Sequence, residues 1–166
     1  LALARSGSEV IIAGRNPSKG ANAVARIRSR QPDANVRFEL LDLADIQSVT
    51  AFGSRLRAER ESLDLLINNA AVMAPPTRQV TPDGFELQFG TNYLGHFALT
   101  AELLPLLRKG SEPRVVSISS VAARGGTVDL PEPLEDVRQL AVRDADAVVL
   151  DADEKPLGLP LHADDD

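Results

Sequence analysis

Along the chain, short apolar runs alternate with longer stretches whose apolar positions recur at helical spacing. Strand and helix in turn predict a parallel α/β sheet. Leu1 to Arg5 reads as the end of a helix, with Ser6-Gly7 as its stop. Glu9 to Ala13 encloses Val10-Ile11-Ile12 and predicts a short buried strand. Asn16-Pro17-Ser18 opens a helix to about Arg30, with Asn16 as cap and Pro17 in the first turn. A turn over 31–35 leads into a strand from Val36 to Leu41. A further helix is expected over about Ile46 to Arg60. The strand Leu63 to Ile67 is apolar after Asp64, as expected where both sheet faces are covered.

Thr81-Pro82-Asp83 carries the same cap-then-proline signal and predicts the longest helix. It should reach about Leu107, with Pro105 bending or ending its last turns. Arg114 to Ile118 predicts another buried strand. After Gly125-Gly126 the pattern degrades, leaving a weak helical signal over Leu134 to Val142 and a weak strand signal over Ala147 to Leu150. The expected organisation is one domain over 1–128 followed by a divergent acidic tail over 129–166.

Charge sharpens that boundary. Residues 1–128 carry 15 Lys and Arg against 12 Asp and Glu, whereas residues 129–166 carry 3 against 12. The net of −6 therefore resides in the tail, and a terminus closing on Asp164-Asp165-Asp166 would repel a nucleic acid. No apolar run reaches the ~18 residues needed to span a bilayer. The absence of cysteine excludes disulfides and thiolate metal sites and suits a cytoplasmic enzyme. His96 and His162 lack the spacing of metal ligands.

Candidate chemistry gathers at strand ends, because open α/β sheets bind ligands beyond the carboxyl ends of their strands. Gly14-Arg15 follows the first visible strand. In nicotinamide enzymes an acid near this place holds the ribose hydroxyls of NAD, whereas an arginine can accept the 2′-phosphate of NADP. Gly14-Arg15 without an acid therefore leans towards NADP over NAD, the alternative being an ordinary surface arginine. Asn68-Asn69-Ala70-Ala71 ends a second strand and Ser117-Ile118-Ser119-Ser120 a third, with Phe89-Gly90-Thr91-Asn92-Tyr93-Leu94-Gly95-His96-Phe97 between them. In that order and spacing these segments resemble the short-chain dehydrogenase/reductase family, most closely its retinol-dehydrogenase-like members. The resemblance covers residues 1–128.

The resemblance implies a Rossmann-like doubly wound parallel sheet and an oxidoreductase interconverting an alcohol and a carbonyl compound, the substrate being a small apolar molecule. It also implies site residues. Asp42 and Leu43 touch the adenine, although Asp42 or Asp45 could equally cap the following helix. Asn69, Ala70 and Ala71 form a cofactor wall, with Ala71 standing where the family usually has glycine. Asn92 belongs to the catalytic tetrad and holds a water in a proton relay, while His96 one turn on reads as a packing or capping residue. Ser120 hydrogen-bonds the substrate carbonyl. A nucleophilic serine would need a Gly-x-Ser-x-Gly elbow and a base, and neither is in evidence.

Two family features do not occur in the 166 residues: the Thr-Gly-x-x-x-Gly-x-Gly phosphate loop and the catalytic Tyr-x-x-x-Lys pair. The only tyrosine, Tyr93, is followed four residues later by Phe97. The sheet is therefore expected to lack its first strand, which in the doubly wound order lies between those at Val10 and Leu65. These gaps lead to the expectation of a truncated and inactive form, clipped at its start and altered or frame-shifted after about Val128. The alternatives are a non-catalytic nucleotide-binding module and a partner-binding module whose exposed sheet edge pairs with another copy in a homo-oligomer.

Overall fold

In the computed structural model, the described residues are 2–120. They run α1 (Ala2–Arg5), β1 (Val10–Gly14), α2 (Pro17–Arg30), β2 (Val36–Leu40), α3 (Ile46–Glu59) and β3 (Leu65–Asn68). A short α4 (Leu87–Phe89), a π-helical turn (Gly90–Leu94), α5 (Gly95–Leu107) and β4 (Arg114–Ser117) follow. The expected helix over Leu134 to Val142 and strand over Ala147 to Leu150 lie outside the described residues.

Local chemistry fixes most of these boundaries. The Asn16 side chain accepts from Lys19 N at 2.9 Å and Pro17 is the first helical residue of α2, so the anticipated start is realised. Asp45 accepts from Gln47 N at 2.9 Å and Ser48 N at 3.3 Å, which makes it the cap of α3. Gly7 stops α1 with φ at 83°, a left-handed conformation that glycine adopts without strain.

The strands form two separate parallel pairs. β1 lies beside β2, with Val10 opposite Val36 and Gly14 opposite Leu40. β4 lies beside β3: Arg114 N donates to Asp64 O and Ile118 N to Asn68 O, so the bonds advance in the same direction along both strands. The described chain divides into two compact units. One comprises the residues up to Leu65 together with Ala70–Arg114; the other comprises Leu66–Asn69 and the segment from Val115.

Within the first unit, Ala4, Ala34 and Val36 form a buried cluster against which Val10, Ile12, Val24 and Ile27 pack. The helix pair α3 and α5 buries Val49, Phe52 and Leu56 on one side and Leu99, Leu103, Leu106 and Leu107 on the other. Their close approach is set by Gly53, where an added Cβ would stand 2.7 Å from Glu102 Cβ. At the same crossing the Arg57 guanidinium donates to Glu102 O at 2.6 Å and forms an ion pair with the Glu102 carboxylate.

Three expectations need correction, the simplest being the burial of β4: Arg114, Val115 and Ser117 are exposed and only Val116 is half-buried. The long helix does not begin at Thr81-Pro82-Asp83. There Gly84 takes φ at 86°, Gly84 N donates to Thr81 O at 2.9 Å, and Val80 pairs with Glu86 in an isolated bridge. The helix instead starts at Leu87, capped by the Glu86 carboxylate. The same Thr, Pro and Asp that open helices also make turns, and the glycine that follows them selects the turn. The third correction concerns β3, which is not apolar on two covered faces. Leu66 and Asn68 are buried, whereas Ile67 between them is 37% exposed. Pro105 sits inside α5 and the helix ends two residues after it.

Candidate active site

Four strand ends carry most of the sequence-predicted residues. Beyond β1 a cleft of about 560 Å³ opens, lined among others by Ile12, Gly14, Arg15, Asn16, Lys19 and Phe38. Two cations face it and no carboxylate lines it. Its floor depends on Gly20, since a Cβ there would lie 2.0 Å from the Phe38 ring. The position of Lys19 was not anticipated, although its place four residues after Arg15 on the first turn of α2 was readable.

Asp42 and Leu43 follow β2. Asp42 Oδ1 accepts from Ala44 N at 3.0 Å, and Asp42 N donates to Ser48 Oγ at 3.0 Å. Asp45, not Asp42, is therefore the helix cap, and Asp42 instead stiffens the turn in front of it. Leu43 is buried against the start of α5. A Cβ on Gly95 would lie 2.2 Å from Leu43 O and 2.9 Å from Leu43 Cβ, so only glycine permits this contact.

The same stretch of helix holds the loop after β3. Asn92, in the π-helical turn, donates from Nδ2 to Val72 O at 2.9 Å and accepts at Oδ1 from Val72 N at 2.8 Å. One turn earlier, Gln88 Oε1 accepts from Ala74 N at 3.0 Å. Between Asn92 and Gly95, then, the chain brings together the loops that carry Leu43 and Val72. A π turn inserts one extra residue into the helix and is a recurrent feature of functional sites. His96 Nδ1 donates to Asn92 O, four residues earlier in the same helix, at 2.9 Å. Tyr93 stacks on Phe89 with ring centroids 5.4 Å apart.

In the second unit, the bond from Ile118 N to Asn68 O sets the carboxyl ends of β3 and β4 side by side. Asn69 follows one of these ends and Ser120 the other, and both are exposed. Ala70 and Ala71, also exposed, continue from Asn69 into the first unit. One carboxyl group near the site has a displaced pKa. Glu86 is held below its ordinary value by the hydrogen bonds it accepts from Gln88 N and Phe89 N, with a smaller contribution from Arg78. Among the described residues no cluster of His, Cys, Asp or Glu could hold a metal ion, and no helix is long and apolar enough to cross a membrane.

Comparison with known proteins places this arrangement. Residues 1–131 match the family described as short chain dehydrogenase. Retinol dehydrogenase 13 of Mus musculus is 43% identical over 132 residues, covering 80% of this chain and 39% of that protein. Retinol dehydrogenase 12 of the same organism is 47% identical over 120 residues, covering 72% of this chain and 38% of its own length. The chain thus spans about two-fifths of the length of these relatives. A structure from Escherichia coli CFT073, described as a short chain dehydrogenase complexed with NADPH, superimposes with a TM-score of 0.63 at 26% identity, covering 75% of this chain and 53% of that one. The parallel strand pairs, the loops converging on Asn92 and Gly95, and the matched segment agree: the chain belongs to the short-chain dehydrogenase family and is retinol-dehydrogenase-like.

Proposed function

We propose that this chain carries the cofactor-facing part of an NADP-dependent oxidoreductase that interconverts an apolar alcohol and its carbonyl compound. The cleft beyond β1 carries the reading, because Arg15 and Lys19 face it with Asn16 and without any carboxylate. An acid there would accept from a ribose hydroxyl, whereas a guanidinium and an ammonium favour a doubly charged phosphate. That donor set fits the 2′-phosphate of NADP. The NADPH complex of the E. coli relative supports the choice.

Asp42 and Leu43 are assigned to the adenine, and Asn69, Ala70 and Ala71 to the nicotinamide-ribose side, where small side chains allow close approach. The dinucleotide, when bound, supplies or accepts a hydride. Ser120 donates a hydrogen bond from its hydroxyl to the substrate oxygen as negative charge develops there, keeping its proton. Asn92, with both ends of its amide committed to Val72, holds a water through its backbone for proton transfer. The 166 residues contain no Tyr-x-x-x-Lys pair, so the proton donor that contributes typically ~10²–10⁴-fold is not supplied by them. The proposal is therefore cofactor binding with little or no turnover by this chain on its own.

Titration of NADPH and NADH against the purified chain, read by nicotinamide fluorescence, tests both parts. NADPH should bind at least ~10-fold tighter, equivalent to about 1.4 kcal/mol, and Arg15→Ala should weaken NADPH while leaving NADH unchanged. Equal affinity for the two would overturn the assignment to NADP. Ketone reduction by the wild-type chain that disappears in Ser120→Ala would overturn the claim of inactivity.

A further inference from the structure

The loop after β3 is held at two points, one on either side of a single residue. Val72 is fixed through both its N–H and its C=O by Asn92, and Ala74 through its N–H by Gln88. Gln88 and Asn92 stand four residues apart, so one helix supplies both amides. Between the two anchors lies Met73, which is 87% exposed. Ala74 takes φ at 45°, a left-handed conformation unfavourable to a residue with a Cβ. Strain of that kind persists only where the surroundings impose it, and the bond from Ala74 N to Gln88 does so here.

We propose that Gln88 is a positioning residue of the site, and that with Asn92 it presents Met73 as the apolar contact for the substrate. This rests on the reading of the site as an oxidoreductase for an apolar alcohol or carbonyl compound. Among the described residues Met73 is the most exposed of the large apolar side chains. A thioether on three rotatable bonds suits an aliphatic partner, since it adapts its shape without presenting a charge. The loop directly follows β3, and ligands of open α/β sheets gather beyond such strand ends. Gln88 itself touches no substrate; it acts through the backbone of Ala74.

Met73 is the only methionine of the chain, so [13C]methyl-methionine labelling gives a single resonance that needs no assignment. The full chain with NADPH is titrated with decanol while this resonance and the nicotinamide fluorescence are followed together. The methyl resonance should shift saturably. Gln88→Leu, which cannot accept from Ala74 N–H, should narrow it, move it toward the position of an unstructured methionine and weaken the decanol response about tenfold. Gln88→Glu keeps an acceptor at the same reach and should restore both.

A Gln88→Leu resonance identical to wild type, without any ligand, would overturn the clamp. Decanol that perturbs the nicotinamide fluorescence but leaves the methyl resonance unmoved would overturn the substrate contact while leaving the functional reading intact. Decanol that perturbs neither, although NADPH binds, would overturn the functional reading, and the substrate contact would fall with it.

Discussion

Gly95→Ala is the sharpest test of how the site is assembled. The added methyl would stand 2.2 Å from Leu43 O, about 1 Å inside an ordinary carbon–oxygen contact, and 2.9 Å from Leu43 Cβ. Neither neighbour can rotate away, because one is backbone and the other is fixed to it. Overpacking of this kind costs typically ~1–3 kcal/mol, and a backbone obstacle belongs at the upper end. Replacing glycine by alanine inside a helix returns about 1 kcal/mol of propensity. The expected net loss is therefore ~1–2 kcal/mol. In urea, with m near 2 kcal/mol/M, the midpoint should fall by roughly 0.5–1 M at unchanged m. Gly53→Ala provides the comparison, since its new methyl would meet Glu102 Cβ at 2.7 Å, a side chain that can shift. Gly95→Ala should be the more damaging of the two, and it should also weaken NADPH binding by displacing Leu43. A Gly95→Ala midpoint at or above that of wild type, or above that of Gly53→Ala, would refute the reasoning.

Two further outcomes follow from single side chains. The Glu86 carboxylate is stabilised as the anion by two backbone N–H groups at the start of α4, so its folded pKa lies below its unfolded value near 4.5. Its contribution is fully present above that unfolded value and is lost as pH falls through the lower folded one. The difference in urea midpoint between wild type and Glu86→Gln should therefore shrink as pH is taken from about 6 to about 3; a difference that stays constant or grows would contradict the cap. Thr91 is 6% exposed, and its hydroxyl oxygen has no hydrogen-bond partner among the described residues. Thr91→Val keeps the shape and removes the unpaired group, so thermal unfolding should show a stability unchanged or raised by up to ~1 kcal/mol. A clear loss would mean that the hydroxyl is satisfied in solution.

Much of the fold was legible because the responsible signals are local. Asn16 with Pro17 set the start of α2, an aspartate before α3 signalled its cap without deciding between Asp42 and Asp45, and apolar runs marked β1, β2, β3 and β4 to within two residues. The false start at Thr81 shows the limit of that reasoning. Thr, Pro and Asp serve a turn as well as a helix, and the decision was made by Gly84 and by the pairing of Val80 with Glu86. The covered faces expected of β3 likewise failed at Ile67, since the sequence states that a residue is apolar but not what lies against it.

The candidate site divides in the same way. The motifs at Asn68–Ala71, Phe89–Phe97 and Ser117–Ser120 pointed to the family, and that resemblance, with the place of Arg15 after β1, named Arg15, Asp42, Leu43, Asn69, Ala70, Ala71, Asn92 and Ser120. Lys19 in the cleft, the contact of Gly95 with Leu43, the double bond of Asn92 to Val72 and the anchor of Gln88 on Ala74 could not be named in this way. Gly95 inside an apolar helix was the one visible hint, because glycine there is unfavourable unless something approaches closely. By itself the sequence determined the alternation of elements, their caps and the chemical types stationed at the strand ends, all of which depend on neighbours within a few residues. Only the tertiary structure decided which loops lean on the helix at Asn92 and Gly95 and which backbone groups they exchange. Those contacts join residues 20 to 52 positions apart, and a hydrogen bond or a steric limit at that separation exists only once the chain has folded.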